Sequence, residues 1–379
     1  MTGISIPFNK AGLRGPEFDY ISQALSAGHV SGDGPFTKKC QKILQEQLGV
    51  PRALLTTSCT HALEMAALLL RLKPGDEFIV PSFTFVSTAN AFVLRGAKPV
   101  FADIRSDTLN LDETKLEGHI TPRTRAIVPV HYAGVGCEMD PILSLAHHHG
   151  IVVVEDNAHG LYGKYRGRFL GTFGVLATLS FHETKNITCG EGGALLVNDP
   201  QLIERAEIIW EKGTNRSRFF RGQVDKYTWV DIGSSYVLSD ILSAFLFAQL
   251  ESASIIQQRR QEIWTYYHTH LKSWADRNQV RLPRVPEHCQ QAYHMFYLLF
   301  PDLDTRQAMI RHLKEQGILS VFHYLPLHLS DMGHQFGGQP GDCPVTEWVS
   351  DRLLRLPFFN PLTWEEQERV VAAMMNFNP

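Results

Sequence analysis

Between about residues 50 and 210 strand and helix signals alternate along the chain, and no other feature restricts its fold as strongly. Mostly apolar runs at 77–80, 99–104, 126–131, 151–155, 175–181 and 194–198 read as strands, separated for the most part by helical stretches. Such alternation predicts an α/β domain on a largely parallel, doubly wound sheet. A helical run at 240–249 closes this large domain, placed at 1–250, and a smaller α+β domain follows at 251–379. In that second domain we expect strands at 292–300 and 320–324, a helix from Thr305 closing at Gly317, and a terminal helix opened by a Thr363-x-x-Glu366 capping box.

Within the sheet, three places carry chemistry. The run 175–181 delivers Lys185 into a turn that ends in Gly190-Glu191-Gly192-Gly193, where the backbone and a small ligand can approach closely. A Schiff-base lysine is presented in this way. The buried-looking run 151–154 ends in Glu155-Asp156, which puts a carboxylate at the carboxyl end of a strand, where open α/β sheets hold their ligands. Finally, the hydroxyl cluster Thr56-Thr57-Ser58-Cys59-Thr60 precedes a helix with Leu63, Ala66, Ala67 and Leu70 on one face, so its free amides and positive dipole end can hold a phosphate. Each signal has an ordinary reading too: surface charge for the lysine, strand termination for the aspartate, helix capping for the hydroxyls. Together they describe a site for pyridoxal phosphate, whose pyridinium nitrogen needs a carboxylate partner.

These segments resemble the sugar aminotransferases of the DegT/DnrJ/StrS family, fold-type-I enzymes dependent on pyridoxal phosphate, over essentially the whole length. The shared motifs are "PSFTFVSTAN" from Pro81, "VPVHYAG" from Val128, "VEDNAHG" around Asp156, "SFHETKN" around Lys185, "GEGGALL" from Gly190 and "FHYLPLH" from Phe322. The resemblance implies that Lys185 carries the cofactor and that Asp156 faces its ring nitrogen. It also implies that Phe85 stacks on the ring, that His159 lies near the phenolic oxygen, and that Cys59, Thr60 and Ser180 surround the phosphate. His323 and His328 resemble positions near the sugar. Relatives close their first domain with Gly-x-Asn-x-Arg, whose Asn reaches the neighbouring subunit's cofactor; this chain reads Gly233-Ser234-Ser235-Tyr236-Val237 there, and Ser235 offers one hydrogen bond of shorter reach.

Within the family the likeness is to the transaminases that use L-glutamate to aminate C4 of dTDP-4-keto-6-deoxyglucose, giving dTDP-4-amino-4,6-dideoxygalactose for cell-surface polysaccharide, including lipopolysaccharide. The implied assembly is a homodimer with active sites at the subunit interface. Two other functions fit the same motifs: amination at C3 of a related keto sugar, and a catalytically silent, cofactor-binding regulatory dimer. Arg216, Arg218 and Arg221 alternate with Phe219, Phe220, Tyr227 and Trp229, combining forks for a diphosphate with rings for a base. The same segment can equally be a solvated basic loop with aromatics against a partner subunit.

Charge and cysteine usage narrow the class further. A net charge of -3 gives no electrostatic reason to bind nucleic acid. No apolar run reaches the roughly 18 residues that span a bilayer, and residues 1–10 lack a secretory core, which points to the cytoplasm. The six cysteines show no CxxC spacing and read as free thiols in a reducing compartment. His147-His148-His149-Gly150 does not read as a metal site, because three consecutive helical residues point in different directions; at a helix end they complement the dipole.

Overall fold

In the computed structural model, which describes residues 4–377, the apolar runs assemble into one seven-stranded sheet. Its strands are β1 (Arg52–Thr56), β2 (Glu77–Pro81), β3 (Lys98–Ala102), β4 (Thr124–Ile127), β5 (Val152–Asp156), β6 (Leu176–Ser180) and β7 (Gly193–Val197). Their spatial order is β1-β7-β6-β5-β4-β2-β3. Neighbours from β3 to β6 run parallel, whereas β7 runs antiparallel to both β6 and β1. Helices cover both faces: Val154 packs in the core formed with α1 (Cys59–Leu69), and its neighbour Val153 packs on the opposite side with Met139, Ile142 and Ala146. Two covered faces explain why these strands read as continuous apolar runs without polar alternation.

The differences from expectation have local causes. β1 was not anticipated, since Ala53-Leu54-Leu55 is too short for periodicity to separate a strand from a helical turn. β4 ends at Ile127, short of the expected 131: Pro129 has no amide to donate, and the ladder resumes only as a single bridge between Val130 and Asp156. The histidine run lies at the end of the helix Met139–His149, with Gly150 in the left-handed conformation as its C-cap, and no metal-holding cluster occurs among the described residues.

Beyond the sheet, α2 (Val86–Val93) follows β2, and α3 (Asp240–Glu251) is separated from the 25-residue α4 (Ala253–Arg277) by a break at Ser252. Ile263, Tyr267, Leu271 and Trp274 of α4 form one stripe of a second core with Phe296, Leu298, Met309 and Val370, which also takes in Ile6. The expected strand at 292–300 shrinks to β8 (Tyr297–Leu299), antiparallel to β9 (Leu353–Arg355). The expected strand at 320–324 does not form. Val321 makes one bridge, to Arg355, and the chain then turns toward a cavity. The helix Leu303–Glu315 starts two residues before Thr305 because Asp302 caps it, accepting from the Thr305 amide at 2.8 Å. The terminal helix Trp364–Met375 carries the expected capping box. No helix among the described residues is long and apolar enough to cross a membrane.

Candidate active site

The carboxyl ends of β5 and β6 and the amino ends of β7, α1 and α2 surround a cavity of about 770 Å³. β5 positions two adjacent acids by strand alternation. Glu155 is fully buried on one side, its two oxygens accepting from the amides of Phe173 (2.6 Å), Gly174 (2.7 Å) and Gly171 (2.8 Å) and from His131 Nε2 (2.8 Å). Asp156 points the other way and lines the cavity, its Oδ2 accepting from Thr88 Oγ1 at 2.7 Å and its Oδ1 from the Ala158 amide at 3.1 Å. Thr84 supports Thr88 from one turn earlier, with their hydroxyls 2.9 Å apart. The carboxylate is therefore fixed in orientation before any ligand arrives.

Lys185 enters the cavity from the turn after β6, where its amide donates to the His182 carbonyl at 2.9 Å. Burial, helped by the Arg355 charge and opposed by Cys59 and Asp156, lowers the pKa of its ammonium from 10.5 to about 8. Cys59, pushed up to about 12 by burial, is a neutral thiol at ordinary pH. His159 stacks on His294 with ring centres 4.2 Å apart, and its Nε2 accepts from the Tyr324 hydroxyl at 3.4 Å. Burial and the charge of Lys185 hold His159 well below its usual pKa, so it is neutral, and its Nδ1 has no partner among the described residues.

One wall is built from helix termini. Cys59 and Thr60 open α1, where first-turn amides lack intrahelical acceptors, and Thr60 Oγ1 donates to Ser87 Oγ in the first turn of α2 at 2.8 Å. Gly193 lies directly behind this terminus. A Cβ there would collide with the Cys59 amide and the Ser58 carbonyl carbon, so only glycine lets β7 and α1 meet. Ser180 ends β6 beside it, in register with Gly193, and lines the cavity. Phe85, the N-cap residue of α2, is 56% exposed and presents its ring to the same space.

This donor set fits pyridoxal phosphate: a lysine amine, an oriented carboxylate, helix-end donors, an open aromatic face, and a neutral imidazole with an orphaned nitrogen. Eight of the residues singled out in the sequence meet here: Lys185, Asp156, Cys59, Thr60, Phe85, His159, Ser180 and His323. His323 is held by the Tyr132 hydroxyl, 2.6 Å from its Nδ1.

His328 does not line the cavity. It is fully buried, clamped between Ser82 Oγ (2.6 Å) and Glu347 Oε1 (3.1 Å), which gives it a structural place behind the site. Ser235, Arg216, Arg218 and Arg221 lie outside this chain's cavity, on the excursion 211–235, where the arginines pair with Glu211, Glu204 and Glu207 respectively. Sequence reasoning missed His294, Tyr324, Thr88 and Arg355, all of which line the cavity. Thr88 and Tyr324 sit inside quoted motifs and could have been found there; His294 and Arg355 have no local signature.

The profile of the DegT/DnrJ/EryC1/StrS aminotransferases matches residues 13–375. The chain is 32% identical to the spore coat polysaccharide biosynthesis protein SpsC of Bacillus subtilis over 377 residues, 97% of this chain and 96% of that one. It is 35% identical to MJ1066 of Methanocaldococcus jannaschii, an uncharacterised protein, over 90% of this chain and 89% of the other. Among solved structures, the PLP form of Spr1654 from Streptococcus pneumoniae, described as a sugar aminotransferase, superposes with a TM-score of 0.90 at 26% identity, covering 98% of this chain and 97% of that one. Geometry and likeness converge: this chain belongs to the DegT/DnrJ/EryC1/StrS aminotransferase family.

Proposed function

We propose that this protein is a pyridoxal-phosphate-dependent sugar aminotransferase that moves the amino group of L-glutamate to C4 of dTDP-4-keto-6-deoxyglucose, giving dTDP-4-amino-4,6-dideoxygalactose. The observation that carries the aminotransferase reading is the convergence of Lys185, its pKa lowered to about 8, with the oriented Asp156 carboxylate in one cavity. Spr1654, solved in PLP and PMP forms, supports the cofactor, and the name of SpsC supports a role in polysaccharide synthesis. When bound, the cofactor supplies an electron sink for the α-carbon of the amino donor.

Asp156, held by Thr88, would face the ring nitrogen and favour its protonated form, and Phe85 would cover a ring face. The first turns of α1 and α2 would hold the phosphate through Cys59, Thr60 and Ser87, with Ser180 beside them. Lys185 Nζ would serve as the base that takes the proton from the donor carbon; its lowered pKa leaves a useful fraction neutral near pH 7 to 8. His159, neutral, accepts from Tyr324 at Nε2, and its unpartnered Nδ1 would be free to meet the cofactor's oxygen. The same residues serve both half-reactions, since the second reverses the first on the keto sugar.

In this reading the enzyme is a cytoplasmic homodimer. Phe220, Trp229 and Ile232 are all more than half exposed in the single chain, and a second copy would cover them. Arg216, Arg218, Arg221 and Ser235 share that excursion and would be carried to the partner's cavity, the arginines to the diphosphate. Six unpaired cysteines fit a reducing cytoplasm. The test is product analysis: incubation with pyridoxal phosphate, L-glutamate and dTDP-4-keto-6-deoxyglucose should give an amine at C4 with galacto configuration by NMR. An amine at C3 of a related keto sugar, or no transfer to either, would overturn this assignment.

A further inference from the structure

Arg355 ends β9 and lines the same cavity as Lys185. Its guanidinium makes hydrogen bonds to one acceptor, the Phe322 carbonyl, from Nη2 at 3.0 Å and Nε at 3.3 Å, and lies over the Phe8 ring at 4.7 Å. No carboxylate pairs with it among the described residues, in a protein whose other cavity-facing cation is the reacting lysine. A guanidinium has five donors in a rigid fork, and leaving it in a cavity without an anion is costly unless a ligand supplies one. Its charge is felt at Lys185, His159 and His323, which places it within reach of whatever reacts at the lysine amine.

Four anionic groups can enter this site, and one of them, the side-chain carboxylate of glutamate, lies three bonds beyond the reacting carbon. The cofactor phosphate already has the helix-end donors of Cys59, Thr60 and Ser87. In a 1-diphospho-4-keto sugar the diphosphate sits across the ring from the reacting carbon. In an amino acid the α-carboxylate is bonded to the very carbon that carries the amine. Only the last brings a negative charge beside Lys185 as a matter of its own covalent structure.

We propose that Arg355 is the anchor for the amino donor, its fork receiving the α-carboxylate of the amino acid that reacts at Lys185. This rests on the aminotransferase reading above and names a binding residue for its first substrate. It also gives a reason for a polar side chain at the end of β9, where Leu353 and Leu354 are fully buried.

The experiment compares holoenzymes of the wild type, Arg355→Gln and Arg355→Lys, with melting temperature and bound-cofactor absorbance reporting that each is folded. Single-turnover conversion with L-glutamate should require roughly 10- to 100-fold higher donor concentration in Arg355→Gln, as expected for losing charged hydrogen bonds. Arg355→Lys should fall between. L-glutamine, which keeps the α-carboxylate, should suffer equally, whereas γ-aminobutyrate, which lacks it, should react with all three proteins alike. The reverse half-reaction with the amino-sugar nucleotide should be unchanged. Loss confined to the nucleotide-sugar half would assign Arg355 to the diphosphate, equal loss in both halves would make it structural, and loss with glutamate but not glutamine would assign it to the side-chain carboxylate; each overturns the proposal. Unaltered glutamate kinetics in Arg355→Gln overturns it too. A wild type that reacts with no amino acid would instead sink the aminotransferase reading itself, and the proposal with it.

Discussion

Lys185 is expensive for the fold before it is useful to the chemistry. Its ammonium titrates near 8 in the folded apo-protein against 10.5 for an ordinary lysine. Below pH 8 both folded and unfolded chains hold the proton, and the folded state bears the full burial penalty; between 8 and 10.5 that penalty disappears as the folded state stays neutral while the unfolded one loses its proton. Lys185→Met apo-protein should therefore melt a few degrees above the wild type at pH 7, with the gap closing by pH 10.5, as differential scanning calorimetry across pH would show. The same substitution should abolish steady-state turnover, because no other lysine among the described residues lines the cavity to move the proton. Asp156→Asn should retain cofactor yet slow both half-reactions; near-normal rates in that variant would remove Asp156 from the electron-sink role. Both residues were legible in the sequence because a strand end placed them and a motif surrounded them. Arg355 and His294 were not, since each reaches the cavity from a distant segment whose own neighbours are ordinary core residues such as Leu354 and Phe296.

At the scale of elements, the site depends on β7 running against its neighbours. That direction brings its first residue, Gly193, to the same edge as the last residues of β1 and β6, with Thr56 and Ser180 as its register partners. Gly193→Ala would push the first turn of α1 away from the cavity, so cofactor affinity should fall by about tenfold or more in equilibrium dialysis, and the apo-protein should lose stability as well. Unchanged affinity would mean that α1 is free to retreat. The strands of the sheet interior were readable as apolar runs because both their faces are covered. The segment 320–324 misled because Val321, Phe322 and Tyr324 give it the composition of a strand, yet His323 and Tyr324 are held by Tyr132 and His159, and side-chain contacts to the cavity replace the ladder.

Across the whole molecule, the two cores suggest a division near residue 250, which we propose as the domain boundary, with the N-terminal Ile6 crossing to the second core. The excursion 211–235 belongs to neither core and is where the nucleotide contacts are proposed. Arg218 pairs with Glu204 at 3.0 Å, but Glu204 is exposed and Arg218 only half-buried, so the pair contributes little and is easily exchanged for a phosphate. Arg218→Ala should weaken the keto-sugar half-reaction by about tenfold while leaving the glutamate half and the melting temperature nearly unchanged. Equal losses in both halves would mark the segment as structural.

The adjacency of Glu155 and Asp156 has a consequence for how this chain can vary in length. Because the two acids serve opposite faces of one strand, one residue inserted before Glu155 would turn Glu155 into the cavity and leave the amides of Gly171, Phe173 and Gly174 to Val154, whereas one residue deleted there would offer those amides the shorter Asp156 and turn Asn157 into the cavity. The spacing from Val152 to Asp156 is therefore fixed to the residue by the two sets of partners that the strand serves.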